Sequence, residues 1–259
     1  QLEKHEIVKA ELLSFLPDSA DRAKFNRIWE SCSEMSVYIQ AKYNDEAVFG
    51  KDLAWLRVEN FDGWHLPAAE ERKLSIDSVL TEGAFGTGTS GAEEKPDSFQ
   101  PIIDFSNFLL IVLKITRILK EPGFDATEFK LDDKELLNEF SKNKITLNEE
   151  FAKEFGYNLL KAKFFLDNYI VHHSNEEDTI ENNPWKLQYW QQEPGKKKEY
   201  VKNLCSDDTV QDTLVQLLSM FEVAFTARQR KNYLFYCLLY LFKNAKPWQT
   251  FPKTYCRFL

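Results

Sequence analysis

Glycine and proline are scarce in this chain of 259 residues, with nine of each. So few turn formers argue against a many-stranded fold, which needs a turn signal about every 8–12 residues. Cysteine is sparse too. Cys32, Cys205, Cys237 and Cys256 show no CxxC spacing, which argues against a zinc ribbon and a disulfide scaffold. Cys237 lies in "LFYCLLYL" and reads as a reduced core thiol, which fits a reducing cytosol. No apolar run is long. "FLLIVL" at 108–113 is the most apolar, bounded by Asp104 and by Lys114 and Arg117, whereas a membrane span needs about 20 apolar residues. The first ten residues carry charges throughout, unlike a secretory leader. The expected location is cytoplasmic, with no membrane partner. An overall basic charge is also missing. The net charge is −8, so nucleic-acid contact, if made, is confined to a local basic patch.

What the chain has in quantity is phenylalanine, at 21 copies, within a hydrophobic share of 43%. Many large apolar residues and few breakers favour long helices around a sizeable core. Residues 2–16, "LEKHEIVKAELLSFL", approximate helical spacing and stop at Pro17. Asp18 or Ser19 can cap a second helix over 20–43, with Phe25, Ile28, Trp29, Cys32, Met35, Val37, Ile39 and Tyr43 facing inward. "AWLRV" at 54–58 fits a helix end or a strand. "GAFGTGTSGAEEKPDS" at 83–98 reads as a flexible insertion.

From 102 onward the pattern is helical. "IIDFSNFLLIVLKITRIL" has few polar positions and predicts a buried helix. Asp132 and Glu135 suggest a cap for a helix over 131–140. Thr146 and Glu149 suggest a capping box for the long helix that follows. Residues 174–208 form a polar break, and two apolar-rich helices come after it. "CRFL" at the last residues resembles the start of another helix. The expected fold is all-α, a multi-helix bundle with a flexible Gly/Ser/Thr-rich insertion. Its parts are N-terminal helices at 1–43, a variable insertion at 44–101 and a main helical domain at 102–259 that packs with 1–43.

Few motifs carry chemistry. "HEIVKA" at 5–10 is one ligand short of the zinc signature HExxH: Lys9 stands where the second histidine belongs. His5 therefore reads as a helix-surface residue, and Glu6 is available to pair with Lys9. Gly83, Gly88 and Thr89 match a phosphate-binding loop without its lysine, so a linker is the plainer reading. A metal site can be drawn on His172 and His173 with Asp167, Glu176, Glu177 and Asp178. Two adjacent helical histidines point about 100° apart, which favours a helix C-terminus instead. Two basic clusters can meet phosphate or can simply be solvated: Lys196, Lys197 and Lys198 in a Gly/Pro turn, and Arg228, Arg230 and Lys231 at a helix start. No catalytic constellation is legible around the four histidines.

Six stretches taken in order resemble a known family. They are "LEKHEIVKAELL", "FNRIWESCSEMSVYIQ", "PIIDFSNFLLIVLKI", "LDDKELLNEF", "FFLDNYIV" and "LLSMFEVAFTARQRKNYLFYCLLYL". Together they are similar to the helical part of GmrSD-type proteins, the modification-dependent (type IV) restriction enzymes and related bacterial anti-phage proteins. The resemblance covers most of the chain outside about 44–100. It rests on helices and apolar pattern, which is less specific than a catalytic motif. Such proteins carry an N-terminal ParB-like domain with a DGQQR-type motif linked to nucleotide hydrolysis, and often an HNH-type nuclease domain. Neither motif occurs here, so no catalytic, cofactor or metal residue is carried over.

The resemblance implies that "HEIVKA" opens a helical region and that the chain is a fragment or domain of a longer protein. It implies a non-catalytic domain that couples a nucleotide-sensing domain to a DNA-cleaving domain, or assists DNA or oligomer contacts. The implied partners are ParB-like and nuclease domains, DNA and further copies of the chain. The nucleoside triphosphate and divalent metal would belong to the parent protein. The alternatives from the residues themselves are a stand-alone helical protein-interaction module and, third, a metal-dependent enzyme.

Overall fold

The computed structural model describes residues 3–43, 46–61, 99–174, 184–192, 199–203, 207–245 and 251–259. Among them the chain is mostly helical. Helices α1 (Lys4–Ser14) and α2 (Ser19–Ser33) form the N-terminal pair. Short pieces follow: β1 (Lys42–Tyr43), β2 (Glu46–Ala47), α3 (Lys51–Ala54), a 3-10 turn (Val58–Asn60) and β3 (Phe99–Gln100). Then come α4 (Phe105–Lys120), a 3-10 turn (Asp133–Glu135), α5 (Leu136–Glu139) and α6 (Glu149–Tyr169). Strands β4 (His172–Ser174), β5 (Trp185–Lys186), β6 (Gln188–Gln192) and β7 (Glu199–Asn203) precede α7 (Asp208–Ala224), α8 (Ala227–Asn244) and α9 (Pro252–Phe258).

Helix α4 is central. Every residue from Asn107 to Thr116 is buried, because α1, α5, α6 and α8 pack around it. Asp104 fixes its start by accepting a hydrogen bond from the Asn107 backbone N–H at 2.9 Å. Trp29 of α2, fully buried, meets Phe105 edge-on with ring centroids 5.4 Å apart. One continuous apolar core runs from Val8 to Tyr255. Burying each large side chain in it contributes about 1.5–3 kcal/mol. "HEIVKA" lies in α1, where Glu6 stands 3.8 Å from Lys9, and Lys9 also pairs with Glu30. His5 sits edge-on to Phe105.

Several local expectations are corrected. Helix α2 ends at Ser33, ten residues short of the expected Tyr43. Residues 34–41 leave the helix because α6 holds their backbone, with Asp167 accepting from Ile39 N–H at 2.6 Å and Lys163 donating to Val37 C=O at 2.8 Å. The cap of α6 is Asn148, whose side chain accepts from Phe151 N–H at 2.8 Å, in place of Thr146. Asp132 caps a 3-10 turn, so the expected 131–140 helix shrinks to α5. "AWLRV" contains a helix end, since α3 stops at Ala54. Cys256–Phe258 closes α9. Among the described residues the polar break holds three strands, with β6 and β7 paired antiparallel and β5 joining β4 and β3 in a small antiparallel sheet. The Gly/Thr/Ser stretch at 83–90 lies outside the described residues.

Candidate nucleic-acid interface

Helix α8 begins with a reciprocal cap. The Thr226 hydroxyl oxygen accepts from Gln229 N–H, and Thr226 N–H donates to the Gln229 side-chain oxygen at 3.0 Å. The helix buries Tyr233, Leu234, Phe235, Cys237, Leu238 and Leu241 against the core. At about 100° per residue, the opposite face carries Arg228, Asn232, Tyr236, Tyr240 and Lys243. Arg228, Asn232, Tyr236 and Lys243 are exposed, and Tyr240 is half-buried. Tyr236 is 61% exposed. The ring of Phe258, from α9, stacks on Tyr240 with centroids 3.8 Å apart and planes 11° from parallel.

This arrangement divides the second basic cluster. Arg228 lies on the outer face, where no carboxylate among the described residues pairs with it. Arg230 and Lys231 turn toward a cleft of about 360 Å³ between the start of α8 and the segment that leads into α4. Pro101, Ile102, Ile103 and Leu234 supply its apolar walls, and Asp104 supplies a carboxylate. Both Asp104 oxygens accept from Asn107 at the start of α4, and among the described residues neither Arg230 nor Lys231 pairs with Asp104 within 4 Å. Arg230 lies 3.9 Å from Glu222. The Glu222 carboxyl accepts from the Tyr233 hydroxyl, and burial pushes its pKa up. Lys196, Lys197 and Lys198, the first basic cluster, lie outside the described residues.

Sequence reasoning had passed over a wider signal. From Val223 to Leu259 the chain contains Arg228, Arg230, Lys231, Lys243, Lys246, Lys253 and Arg257, and no Asp or Glu. These seven cations sit in a chain of net charge −8, so the residues up to Glu222 carry −15. Such asymmetry between segments is a recognised footprint of polyanion contact. It was readable from the sequence by counting charge locally. Arg228, Lys243, Lys253 and Arg257 are all exposed.

A second polar cluster has the opposite character. Lys163 and Asp167 on α6 are fully buried, with Lys163 Nζ 2.5 Å from Asp167 Oδ1. Burial pushes the Asp167 carboxyl up to about 6, against the Lys163 ammonium and the Ile39 N–H, which favour the charged form. Asn168 donates to Gln40 Oε1 at 2.8 Å, and Gln40 donates to Leu56 C=O at 2.7 Å. His172 hydrogen-bonds through Nε2 to Asp167 C=O at 3.0 Å and packs on Phe99. Its Nδ1 has no hydrogen-bond partner among the described residues. Burial holds its pKa down to about 3.

The metal site drawn on His172 and His173 does not assemble among the described residues. The two histidines follow α6 in strand β4 rather than ending a helix, and a strand sends adjacent side chains to opposite faces. His172 is buried on Phe99, while His173 meets Trp185 edge-on. Glu176, Glu177 and Asp178 lie outside the described residues. Among the described residues no group of three or more metal-ligating side chains gathers, and no helix is long and apolar enough to cross a membrane. No family model matches the chain, and neither the curated proteins nor the solved structures give a match.

Proposed function

We propose that this chain is a non-catalytic helical domain that contacts nucleic acid through the outer face of α8, as part of a GmrSD-like restriction or anti-phage protein. The carrying observation is the acid-free stretch after Glu222, which leaves Arg228, Lys243, Lys253 and Arg257 exposed on an acidic protein. Phosphate contacts of this kind supply sequence-independent affinity and fix register, while specificity comes from other contacts. In that role the domain holds nucleic acid for a DNA-cleaving domain and couples it to a nucleotide-sensing one. The family assignment rests on the ordered stretches quoted above.

The test is binding of labelled DNA by the whole chain across a salt series. Log affinity should fall linearly with log salt, with a slope that counts the phosphates neutralised. Binding that is absent at low salt, or indifferent to salt, contradicts the proposal. DNA cleavage by the chain alone contradicts its non-catalytic part.

A second reading has its own observation. Met220 and Val223, three residues apart on α7, are 50% and 73% exposed. An apolar pair on one helix face suits a protein-interaction module. Sedimentation of the wild type beside Val223→Ser tests it, since loss of self-association in the variant alone supports that module.

A further inference from the structure

The outer face of α8 carries more than charge. Arg228, Asn232, Tyr236 and Tyr240 recur every four residues, with Lys243 three further on. This spacing places them along one side of a helix. The stripe is about 22 Å long at 1.5 Å per residue. An aromatic ring left mostly in water, as Tyr236 is, offers a face on which a flat ring can stack. The Phe258 ring, 39% exposed and stacked on Tyr240, offers a second such surface beside it. Exposed cations flank the rings: Arg228 and Lys243 on the helix, and Arg257 next to Phe258. No Asp or Glu lies between Val223 and Leu259.

Cations that follow a phosphodiester backbone, interleaved with rings on which bases stack, are the requirements for binding an unpaired strand. A duplex hides its base faces inside its own stack, so Tyr236 and Phe258 would gain little from it. The residues up to Glu222 carry −15, a charge that disfavours the denser phosphate array of a duplex. We propose that α8 and α9 take single-stranded nucleic acid, with Tyr236 stacking on an unpaired base and Arg228 and Lys243 meeting its phosphates. This deepens the nucleic-acid reading above and rests on it.

The experiment uses fluorescence anisotropy on the whole chain with three labelled probes of about 15 nucleotides: oligo-dT, oligo-rU and a DNA duplex. Each is measured with the wild type, Tyr236→Ala, Tyr236→Phe and Arg228→Ala, after thermal melts show that the variants fold alike. At least one single strand is expected to bind more tightly than the duplex, and the dT and rU arms tell DNA from RNA. Tyr236→Ala should weaken single-strand binding roughly tenfold and leave its salt slope unchanged, while Tyr236→Phe retains it. Arg228→Ala should lower the salt slope by about one. Equal binding of duplex and single strands, with Tyr236→Ala neutral, overturns the single-strand assignment and leaves the basic-face reading standing. No binding of any probe overturns both.

Discussion

Charge is used in opposite ways at two places on this molecule. On α6, Lys163 and Asp167 are fully buried and paired with each other, and both also bind the backbone of 37–39. On α8, Arg228 and Lys243 are exposed, with no carboxylate after Glu222 to match them. Removing a buried charge from water costs several kcal/mol, so it persists only where partners satisfy it. The inner pair therefore marks a place where chain segments are fixed to one another. An exposed cation costs little to leave unpaired, so Arg228 and Lys243 stay available for the contact proposed above. The most displaced pKa values of a protein often mark its working site. Here Asp167 and His172 are displaced but sealed among Ile39, Phe99 and Tyr38, and they hold the fold together.

The contrast can be broken at several points. The largest effect is expected from Asp167→Ala, which leaves Lys163 charged and buried and Ile39 N–H without its acceptor. Such a change costs about 3–5 kcal/mol, read as a shift in urea midpoint. Replacing Lys163 and Asp167 together with leucine should cost less, since the uncompensated charge is gone and only the Ile39 N–H and Val37 C=O lose partners.

The pH dependence of stability follows from the same cluster. His172, held down to about 3 against an ordinary 6.5, binds its proton more readily in the unfolded chain. It therefore lowers stability progressively as pH falls from 6.5 toward 3. Asp167, raised to about 6, is protonated more readily in the folded chain, so its contribution is full below about 4 and is lost as pH rises to 6. The two oppose each other between 4 and 6. His172→Gln should remove the His172 share of the acid-side loss, read as a smaller fall in stability between pH 6 and 4 in denaturation curves.

On the outer face, Arg228→Glu with Lys243→Glu should weaken DNA binding by roughly tenfold or more and flatten the salt slope by about two, with the unfolding midpoint held. A smaller effect belongs to the cap that sets the first basic turn. Thr226→Ala should cost about 1 kcal/mol, again by urea titration.

The helices were legible where local pattern decides. Ten consecutive buried residues in α4 come from a run whose polar positions are Asn107, Lys114 and Thr116 alone, and Asp18 caps α2 as its place after Pro17 suggests. Distant contacts were not legible. The end of α2 is set by Asp167 and Lys163, more than 120 residues away in sequence. Strands β5–β7 lie in a stretch whose polar composition resembles loop, and pairing between neighbours supplies their order. Asn148 over Thr146 is a choice between two good caps two residues apart. On α8, Arg228, Arg230 and Lys231 were visible as a cluster, but their split between the outer face and the cleft needed the helix phase. Tyr236 was hidden because a tyrosine among "YLFYCLLYL" resembles core until that phase is fixed.

The measurement that bears most directly on the basic face is ultraviolet cross-linking of the whole chain to photoreactive DNA, with the adducts located by mass spectrometry. Adducts within Ala227–Asn244 and around Phe258, lost in the Arg228→Glu, Lys243→Glu variant, are the predicted result. Adducts confined to the acidic residues before Glu222, unchanged in that variant, would contradict it.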